Sequence, residues 1–322
     1  MSIAFLDCNT FPPNYDFAIP EQIQPLLRCY QRTSPEQRLA HLEGVQIAIT
    51  NKVRFDRPLL EQLPELRCIL LTATGYDNVD LEVCRELGIA VNNVKGYSTA
   101  SVADHCLMLM LNLLRQQRAV EQLQQQQAWQ QSASFCWPMA NIQDLAGKTL
   151  VLLGAGDIGQ AVAKRARAFD LEVIFSERPD ATEVRQGYIA FEQALAQADI
   201  LSLHCPLTAN TNELINAQRL ALLKPRALLI NTGRGGLLDE QAVVQALEQG
   251  QLAGLGVDVA SIEPMPADHP FWRISHLPQV IISPHVAWAS SQSLTRLMNE
   301  IWRSCQQAMT GDSQGFLLPG KK

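Results

Sequence analysis

The sequence predicts an α/β protein made of two doubly wound parallel-sheet domains. Short apolar runs of strand type alternate with helix-period patterns along most of the chain, which is the rhythm of βαβ units. One of those runs leads into a glycine-rich turn that opens directly into a helical pattern. The chain is also 322 residues long, more than one hydrophobic core usually serves, so two domains are expected.

In the first hundred residues the apolar runs lie at Ile3–Leu6, Gln46–Thr50, Cys68–Thr72 and Ile89–Val91. Helical patterns fall between them. One opens near Pro58, where proline suits the first turn, and one runs from Asp80 as N-cap to Gly88 as the glycine just past the end. This unit has no glycine-rich phosphate loop, which makes it the candidate for the substrate side. From Ser98 the pattern STASVADHCLMLMLNLLRQQR predicts a helix capped by Ser98 or Thr99 and apolar nearly all the way round through Leu114. Such a helix must be covered on more than one face. Burial between domains and contact with a second subunit are both open, and a homodimer is the expected assembly. The glutamine-rich stretch Glu121–Ser134 and the Phe135–Pro138 segment then read as a loop leading to the next strand, with the short glutamine tract a solvated helix end.

That next strand is Thr149–Leu153, and Gly154-Ala155-Gly156-Asp157-Ile158-Gly159 follows it as G-x-G-x-x-G. Ile158, Val162, Ala166 and Phe169 recur after it at helical spacing. A pyrophosphate needs this order, because it must approach the backbone closely at a helix N-terminus, where unpaired N–H groups and the positive end of the dipole face it. Gly154 allows the turn, Gly156 removes a side chain that would face the phosphates, and Gly159 lets helix and strand pack closely. Asp157 is expected to face solvent. A second run, Leu171–Phe175, ends beside Glu177, 18 positions beyond Gly159, about where an acidic ribose-binding residue belongs. A carboxylate there would accept from the ribose 2′-OH and repel a 2′-phosphate, which favours NAD. Arg178 beside it could serve the phosphate, so NADP stays open.

Four further runs complete the second unit: Ile200–Leu203, Ala227–Ile230, Ala253–Val257 and Val280–Ile282. Ligands of doubly wound sheets lie across the carboxyl ends of the strands, so the residues just past each run are the candidates for chemistry. They are His204-Cys205-Pro206, Asn231-Thr232-Gly233-Arg234, Asp258 with Glu263 soon after, and Ser283-Pro284-His285. His285 sits at a strand tip, whereas His41, His105, His269 and His276 lie in helix or loop contexts and read as ordinary surface or packing residues. A carboxylate such as Glu263 bonded to the imidazole would favour its protonated form and make it a proton donor. The planar donor fork of Arg234 could hold a substrate carboxylate and polarise a neighbouring carbonyl. Together they would reduce a 2-keto acid with hydride from a nicotinamide and a proton from His285.

Composition excludes several alternatives. Hydrophobic residues make up 47% and charged residues 18%, a globular balance, and the net charge of −6 comes with no basic run that would suit nucleic acid or an anionic membrane. The eight cysteines are scattered without a C-x-x-C pair or zinc-ligand spacing, so they read as reduced thiols and no metal is expected. The N-terminus lacks a basic region followed by a long apolar stretch, and the most apolar segment, Cys106–Leu114, is too short to span a membrane. A cytoplasmic location is expected.

At these motifs the sequence resembles the D-isomer-specific 2-hydroxyacid dehydrogenase family. LLGAGDIG, LHCPLT, LLKPRALLINTGRGGLLDE, GLGVDVASIEPMP and VIISPHVA match its successive motifs, and the resemblance covers nearly the whole chain. It implies a Rossmann dinucleotide-binding domain, residues 98–287, inserted into a smaller flavodoxin-like substrate domain of residues 1–97 and 288–322. A C-terminal helix at about Ser290–Met309 would then pack back on residues 1–97. The resemblance further implies Arg234 as carboxylate and carbonyl binder, His285 as acid/base and Glu263 as its partner. Thr232, Gly233, Asp258 and Thr99 would line the nicotinamide end, and His204, Cys205 and Pro206 the adenine side. Thr74 and Gly75, in a loop that resembles the family's carboxylate-binding loop, would bind substrate.

TNKV at Thr50–Val53, TATGYDNVDL, GYSTASVADH and WQQSASFCW are most similar to the glycerate dehydrogenase/hydroxypyruvate reductase branch. Two departures stand out: Asp104 where the family usually carries glutamate, and Ala287-Trp288 where it usually carries glycine and serine. The expected activity is NAD(P)-dependent reduction of hydroxypyruvate or glyoxylate to D-glycerate or glycolate, and the reverse. The competing readings are oxidation of formate or phosphite on the same fold, and a non-catalytic dinucleotide-sensing interaction protein. Glutamate at 263, where a formate dehydrogenase would be expected to carry glutamine, speaks against formate.

Overall fold

Each apolar run of the first hundred residues forms a strand in the computed structural model, which describes residues 1–320. The strands are β1 (Ile3–Phe5), β2 (Leu27–Cys29), β3 (Ile47–Thr50), β4 (Cys68–Leu71) and β5 (Ala90–Asn93). They pair in parallel in the order β2-β1-β3-β4-β5, the flavodoxin-like order. β1, β3 and β4 are buried at every residue, as expected of parallel strands covered on both faces. β2 was not expected from the sequence. It is a three-residue edge strand with Arg28 and Cys29 exposed, and so leaves no apolar period to read.

The helix Leu81–Leu87 has the predicted ends. Asp80 accepts from the N–H groups of Glu82 and Val83, and Gly88 takes φ 77°. The chain from Ala289 onward belongs to the same compact unit as residues 1–98. Its helix Ser291–Met309 starts at Ser290, whose hydroxyl accepts from Ser293 N–H, and buries Leu294, Leu297, Met298, Ile301, Trp302 and Cys305 along one stripe. Burying a side chain of Leu or Ile size stabilises by roughly 1.5–3 kcal/mol. Trp302 Nε1 donates to Phe17 O (2.7 Å) and Asn92 Nδ2 to Ser304 Oγ (3.0 Å), which fixes the helix against the first hundred residues.

The second unit, Thr99–Trp288, contains β6 (Thr149–Leu153), β7 (Glu172–Ser176), β8 (Tyr188–Ile189), β9 (Ile200–Leu203), β10 (Ala227–Asn231), β11 (Leu252–Val257) and β12 (Val280–Ile282). All pairs are parallel and the order is β12-β11-β10-β9-β6-β7-β8, a doubly wound sheet with its switch point between β6 and β9. β8 is again an addition, since two half-buried residues carry no pattern.

The helix Thr99–Leu114 has its apolar surface covered largely within this unit. Val102, Cys106, Leu109, Met110 and Leu113 pack with Val162, Ala163 and Ala166 and with Leu150, Leu152 and Ile230 of the sheet, while Met108 is exposed. Gly256 makes this approach possible, because a Cβ there would stand 3.1 Å from Leu109 Cβ. The glutamine-rich stretch corrects the loop reading in part. Gln117–Gln125 is a helix and Ala128–Gln131 a 3₁₀ turn, because glutamine is a good helix former and the segment has no glycine or proline to stop it. No helix among the described residues is long and apolar enough to cross a membrane.

Candidate active site

The glycine loop joins β6 to the helix Asp157–Ala168, and its three glycines have distinct tasks. Gly154 has φ +108°, and a Cβ there would lie 2.6 Å from the backbone of His204 at the tip of β9. A Cβ on Gly159 would lie 2.1 Å from Gly154 O. Both glycines therefore serve the protein's own close packing. Gly156 differs: it is the N-cap, it makes no side-chain cap, and a Cβ there would project into open space. Open space in front of uncapped helix N–H groups fits a pyrophosphate, so the residues present suit the diphosphate of a dinucleotide. Asp157 is exposed, and Ile158 is partly buried against the core beneath.

Glu177 sits just past β7, as expected, but its carboxylate is already engaged. Its side chain is 2% exposed, and it accepts from Arg185 Nε (2.6 Å), Arg185 NH2 (2.8 Å) and Arg178 N (2.9 Å). The Arg185 bonds hold its carboxyl well below the usual range, at about 2, so it is ionised throughout the neutral range. Its charge is thus met by Arg185, while the Arg178 side chain is 75% exposed beside it. Arg185 went unnoticed in the sequence because a loop arginine eight residues away carries no signal of its own.

At the tip of β9, the His204 ring faces Ser202 Oγ (2.9 Å), and burial pushes its pKa down to about 4. Burial likewise pushes the Cys205 thiol up to about 11. Neither group is charged near neutral pH, so this turn offers shape and not acid–base chemistry. Pro206 is exposed and its carbonyl accepts from Thr211 Oγ1 (2.7 Å).

The β10 tip is built by a residue that the sequence placed among the strand-tip candidates without giving it a role. Asn231, fully buried, donates from Nδ2 to Arg234 O (2.9 Å) and accepts Gly233 N–H at Oδ1 (3.0 Å), closing the turn that presents Arg234. Arg234 NH1 bonds Gly233 O (2.9 Å). Thr232 Oγ1 pairs with Cys106 Sγ (3.1 Å) on the long helix, whose first residue is the half-buried Thr99.

Asp258, past β11, is 1% exposed and organises the histidine turn. Its carboxylate accepts from Ser283 Oγ (2.5 Å), Val286 N (3.0 Å) and Ala287 N (2.8 Å), while its carbonyl accepts from His285 N (2.8 Å). These bonds hold His285 at φ 54°, a left-handed conformation that costs a non-glycine residue about 1–2 kcal/mol. Trp288 Nε1 donates to His285 O (2.8 Å), so the unusual tryptophan braces the same turn. His105 Nε2 lies 2.9 Å from Ser283 Oγ, and burial lowers its pKa. Asp104, the other departure, bonds Arg165 Nε (2.6 Å).

His285 Nδ1 stands 2.7 Å from Glu263 Oε2. A carboxylate at this distance accepts, so Nδ1 carries the proton and Nε2 is the ring nitrogen left for exchange. Their side chains are 29% and 32% exposed, accessible to a small molecule. The neighbouring strands β10, β11 and β12 thus carry Arg234, the Glu263 loop and His285 at one sheet edge. In the first unit, Thr74 and Gly75 lie in the loop after β4. Thr74 Oγ1 donates to Val94 O (2.8 Å). Among the described residues no cluster is placed to hold a metal ion.

A glycine-loop sheet whose carboxyl edge holds an arginine and a hydrogen-bonded carboxylate–imidazole pair defines a nicotinamide-dependent dehydrogenase. Comparison with known proteins agrees. Residues 107–287 match the family model described as D-isomer specific 2-hydroxyacid dehydrogenase, NAD binding domain. A 2-hydroxyacid dehydrogenase, so named only provisionally, of Haemophilus influenzae is 41% identical over 95% of this chain and 98% of its own. The glycerate dehydrogenase of Methylorubrum extorquens is 36% identical over 98% of both. The crystal structure of a glyoxylate reductase from Paecilomyes thermophila superposes with a TM-score of 0.81 at 27% identity, covering 99% of this chain and 98% of that one. The chain belongs to the D-isomer specific 2-hydroxyacid dehydrogenase family. It is an oxidoreductase acting on a CH–OH group, with NAD as its cofactor.

Proposed function

We propose that this enzyme reduces hydroxypyruvate and glyoxylate to D-glycerate and glycolate, and catalyses the reverse oxidation, with His285 as the proton-transferring group. The observation that carries the reading is the 2.7 Å contact between Glu263 Oε2 and His285 Nδ1. The carboxylate fixes the tautomer and orients the ring, so Nε2 can give a proton to the substrate oxygen as C2 is reduced, and take it back in oxidation. Arg234 binds the substrate carboxylate and polarises the carbonyl, and the Thr74–Gly75 loop of the first unit remains a substrate-binding candidate by family resemblance. The loop Gly154–Gly159 would hold NADH, which would supply the hydride, with Thr232, Gly233, Asp258 and Thr99 as the candidates for its nicotinamide end and His204, Cys205 and Pro206 for its adenine side. Similarity to a glycerate dehydrogenase and to a glyoxylate reductase supports small substrates.

A panel of catalytic efficiencies tests this: hydroxypyruvate, glyoxylate, pyruvate and a branched keto acid with NADH and NADPH, and formate and phosphite with NAD. Hydroxypyruvate or glyoxylate should lead, with the D-isomer of glycerate as product. Failure of every keto acid to oxidise either reduced cofactor would reject the proposal.

The 2′ end of the cofactor gives a second test. Removing the Glu177 carboxylate in Glu177→Ala releases Arg185 and leaves two arginines near the 2′ position. The ratio of NADPH to NADH efficiency should then rise by roughly tenfold, about 1.4 kcal/mol. An unchanged ratio would show that another residue reads the 2′ substituent.

A further inference from the structure

Behind the loop that carries Glu263 lies a second carboxylate–imidazole pair, one that touches neither substrate nor cofactor in the mechanism above. Glu240 opens the helix Glu240–Glu248 and is 8% exposed, and His269, which the sequence suggested was ordinary packing, is 4% exposed. His269 Nε2 stands 3.0 Å from Glu240 Oε2, while His269 Nδ1 accepts the Phe271 N–H (3.3 Å). A ring nitrogen that accepts carries no proton, so the proton is on Nε2, which lies within ion-pair reach of Glu240 without hydrogen-bond geometry. The same carboxylate accepts Ser261 N–H at Oε1 (2.8 Å) and Ser261 Oγ–H at Oε2 (2.6 Å). Two hydrogen-bond donors from Ser261, with the His269 ring at ion-pair distance, therefore meet a carboxylate in the first turn of a helix, where the dipole also favours negative charge.

What this cluster holds is Ser261, two residues before Glu263. The loop has little else to hold it, since Ser261, Ile262, Glu263 and Pro264 are all exposed and no apolar side chain among them reaches the core. Val259 before it is buried and Met265 after it packs on the core, and between them the fixed points are polar or backbone contacts. Asp258 is tied to the histidine turn, Ala260 N–H donates to Glu263 Oε1 (3.0 Å), and the Ala260 backbone rests against Gly235, where a Cβ would come within 1.8 Å of Ala260 C. Burying a carboxylate is a costly way to gain stability alone, and apolar residues of similar volume often do as well or better. What it does provide is a defined geometry.

We propose that Glu240 and His269 are positioning residues for proton transfer: through Ser261 they hold the loop so that Glu263 stays in hydrogen-bond contact with His285. The proposal rests on His285 being the proton-transferring group. Displacement of a catalytic partner by about 1 Å can cost on the order of 100-fold in rate.

The test uses the full chain and five variants: Ser261→Ala, Glu240→Ala, Glu240→Gln, His269→Leu and His269→Gln. In Glu240→Ala and His269→Leu, kcat for the best keto acid should fall by about 10- to 100-fold, with KM and the NADH dissociation constant, read by fluorescence, within about twofold of wild type. Glu240→Gln keeps one acceptor oxygen and should fall between wild type and Glu240→Ala. His269→Gln can place an amide N–H where Nε2 stands and should retain most of kcat. Ser261→Ala removes one hydroxyl from an exposed loop, so it folds even if the buried variants do not, and its kcat should drop several-fold at unchanged Tm.

Independently of turnover, the Nδ1 proton of His285 should give a downfield NMR signal in the wild-type protein that weakens in Ser261→Ala and His269→Leu. Unchanged kcat and an unchanged signal in Ser261→Ala would overturn the proposal, as would equal losses in His269→Gln and His269→Leu. Wild-type protein inactive on all keto acids would reject the proposed reaction, while the NMR signal would still decide whether Glu240 and His269 position His285.

Discussion

Replacing His285 with alanine should lower kcat for keto-acid reduction by two to four orders of magnitude, the range for loss of a positioned general acid. NADH binding, followed by fluorescence titration, should stay within about twofold. The separation is expected from the bonding around the residue. The imidazole is paired with Glu263, whereas the turn that carries it is built by backbone bonds to Asp258 and by Trp288. Alanine inherits the same left-handed backbone, φ 54°, without a new penalty, because histidine already bears the Cβ that makes that conformation costly. The fold and the glycine loop should therefore survive. Neither His204 nor His105 can take over, since burial lowers the pKa of both, and the His204 ring is taken by Ser202. Activity within threefold of wild type would remove His285 from the mechanism.

Arg234→Ala should lower kcat/KM for the keto acid by about two to three orders of magnitude, again with NADH affinity nearly unchanged. Each hydrogen bond to a charged group is worth roughly 1.5–3 kcal/mol, and a carboxylate held by a guanidinium fork loses two of them. Lysine at 234 should recover only part of the loss, because an ammonium cannot reproduce the planar fork. The Asn231 bonds close the turn through its backbone, not through the arginine side chain, so both variants should fold. Unchanged kcat/KM in Arg234→Ala would mean that the substrate carboxylate is bound elsewhere.

Much of the site was legible because its signals are local. The order β6, glycine loop, helix is written within 20 consecutive residues, and the tips of β9, β10, β11 and β12 follow from where apolar runs stop. The same locality explains the omissions. β2 and β8 are edge strands of three and two residues, too short and too exposed to carry a period, and they exist because a neighbouring strand supplies their hydrogen bonds. The glutamine tract reads as a solvated helix end, which the helix Gln117–Gln125 bears out, but the rest of the stretch reads as loop and its 3₁₀ turn Ala128–Gln131 was not foreseen.

Chain order and apolar pattern were sufficient for the two parallel α/β sheets and the dinucleotide loop, since each follows from spacing along the strand–turn–helix unit, whereas Arg234, Glu263 and His285 were only strand-tip candidates until the family resemblance assigned them roles. Tertiary structure alone decided how those groups are held and which of their neighbours are already engaged. Arg185 occupies Glu177, Asp258 ties together the turn 283–287, and Glu240 with His269 anchors Ser261. Their partners lie 8 to 29 positions away, and a side chain's hydrogen bond to a distant loop leaves no periodicity in the sequence. It depends on where two chain segments meet, and that is set by packing.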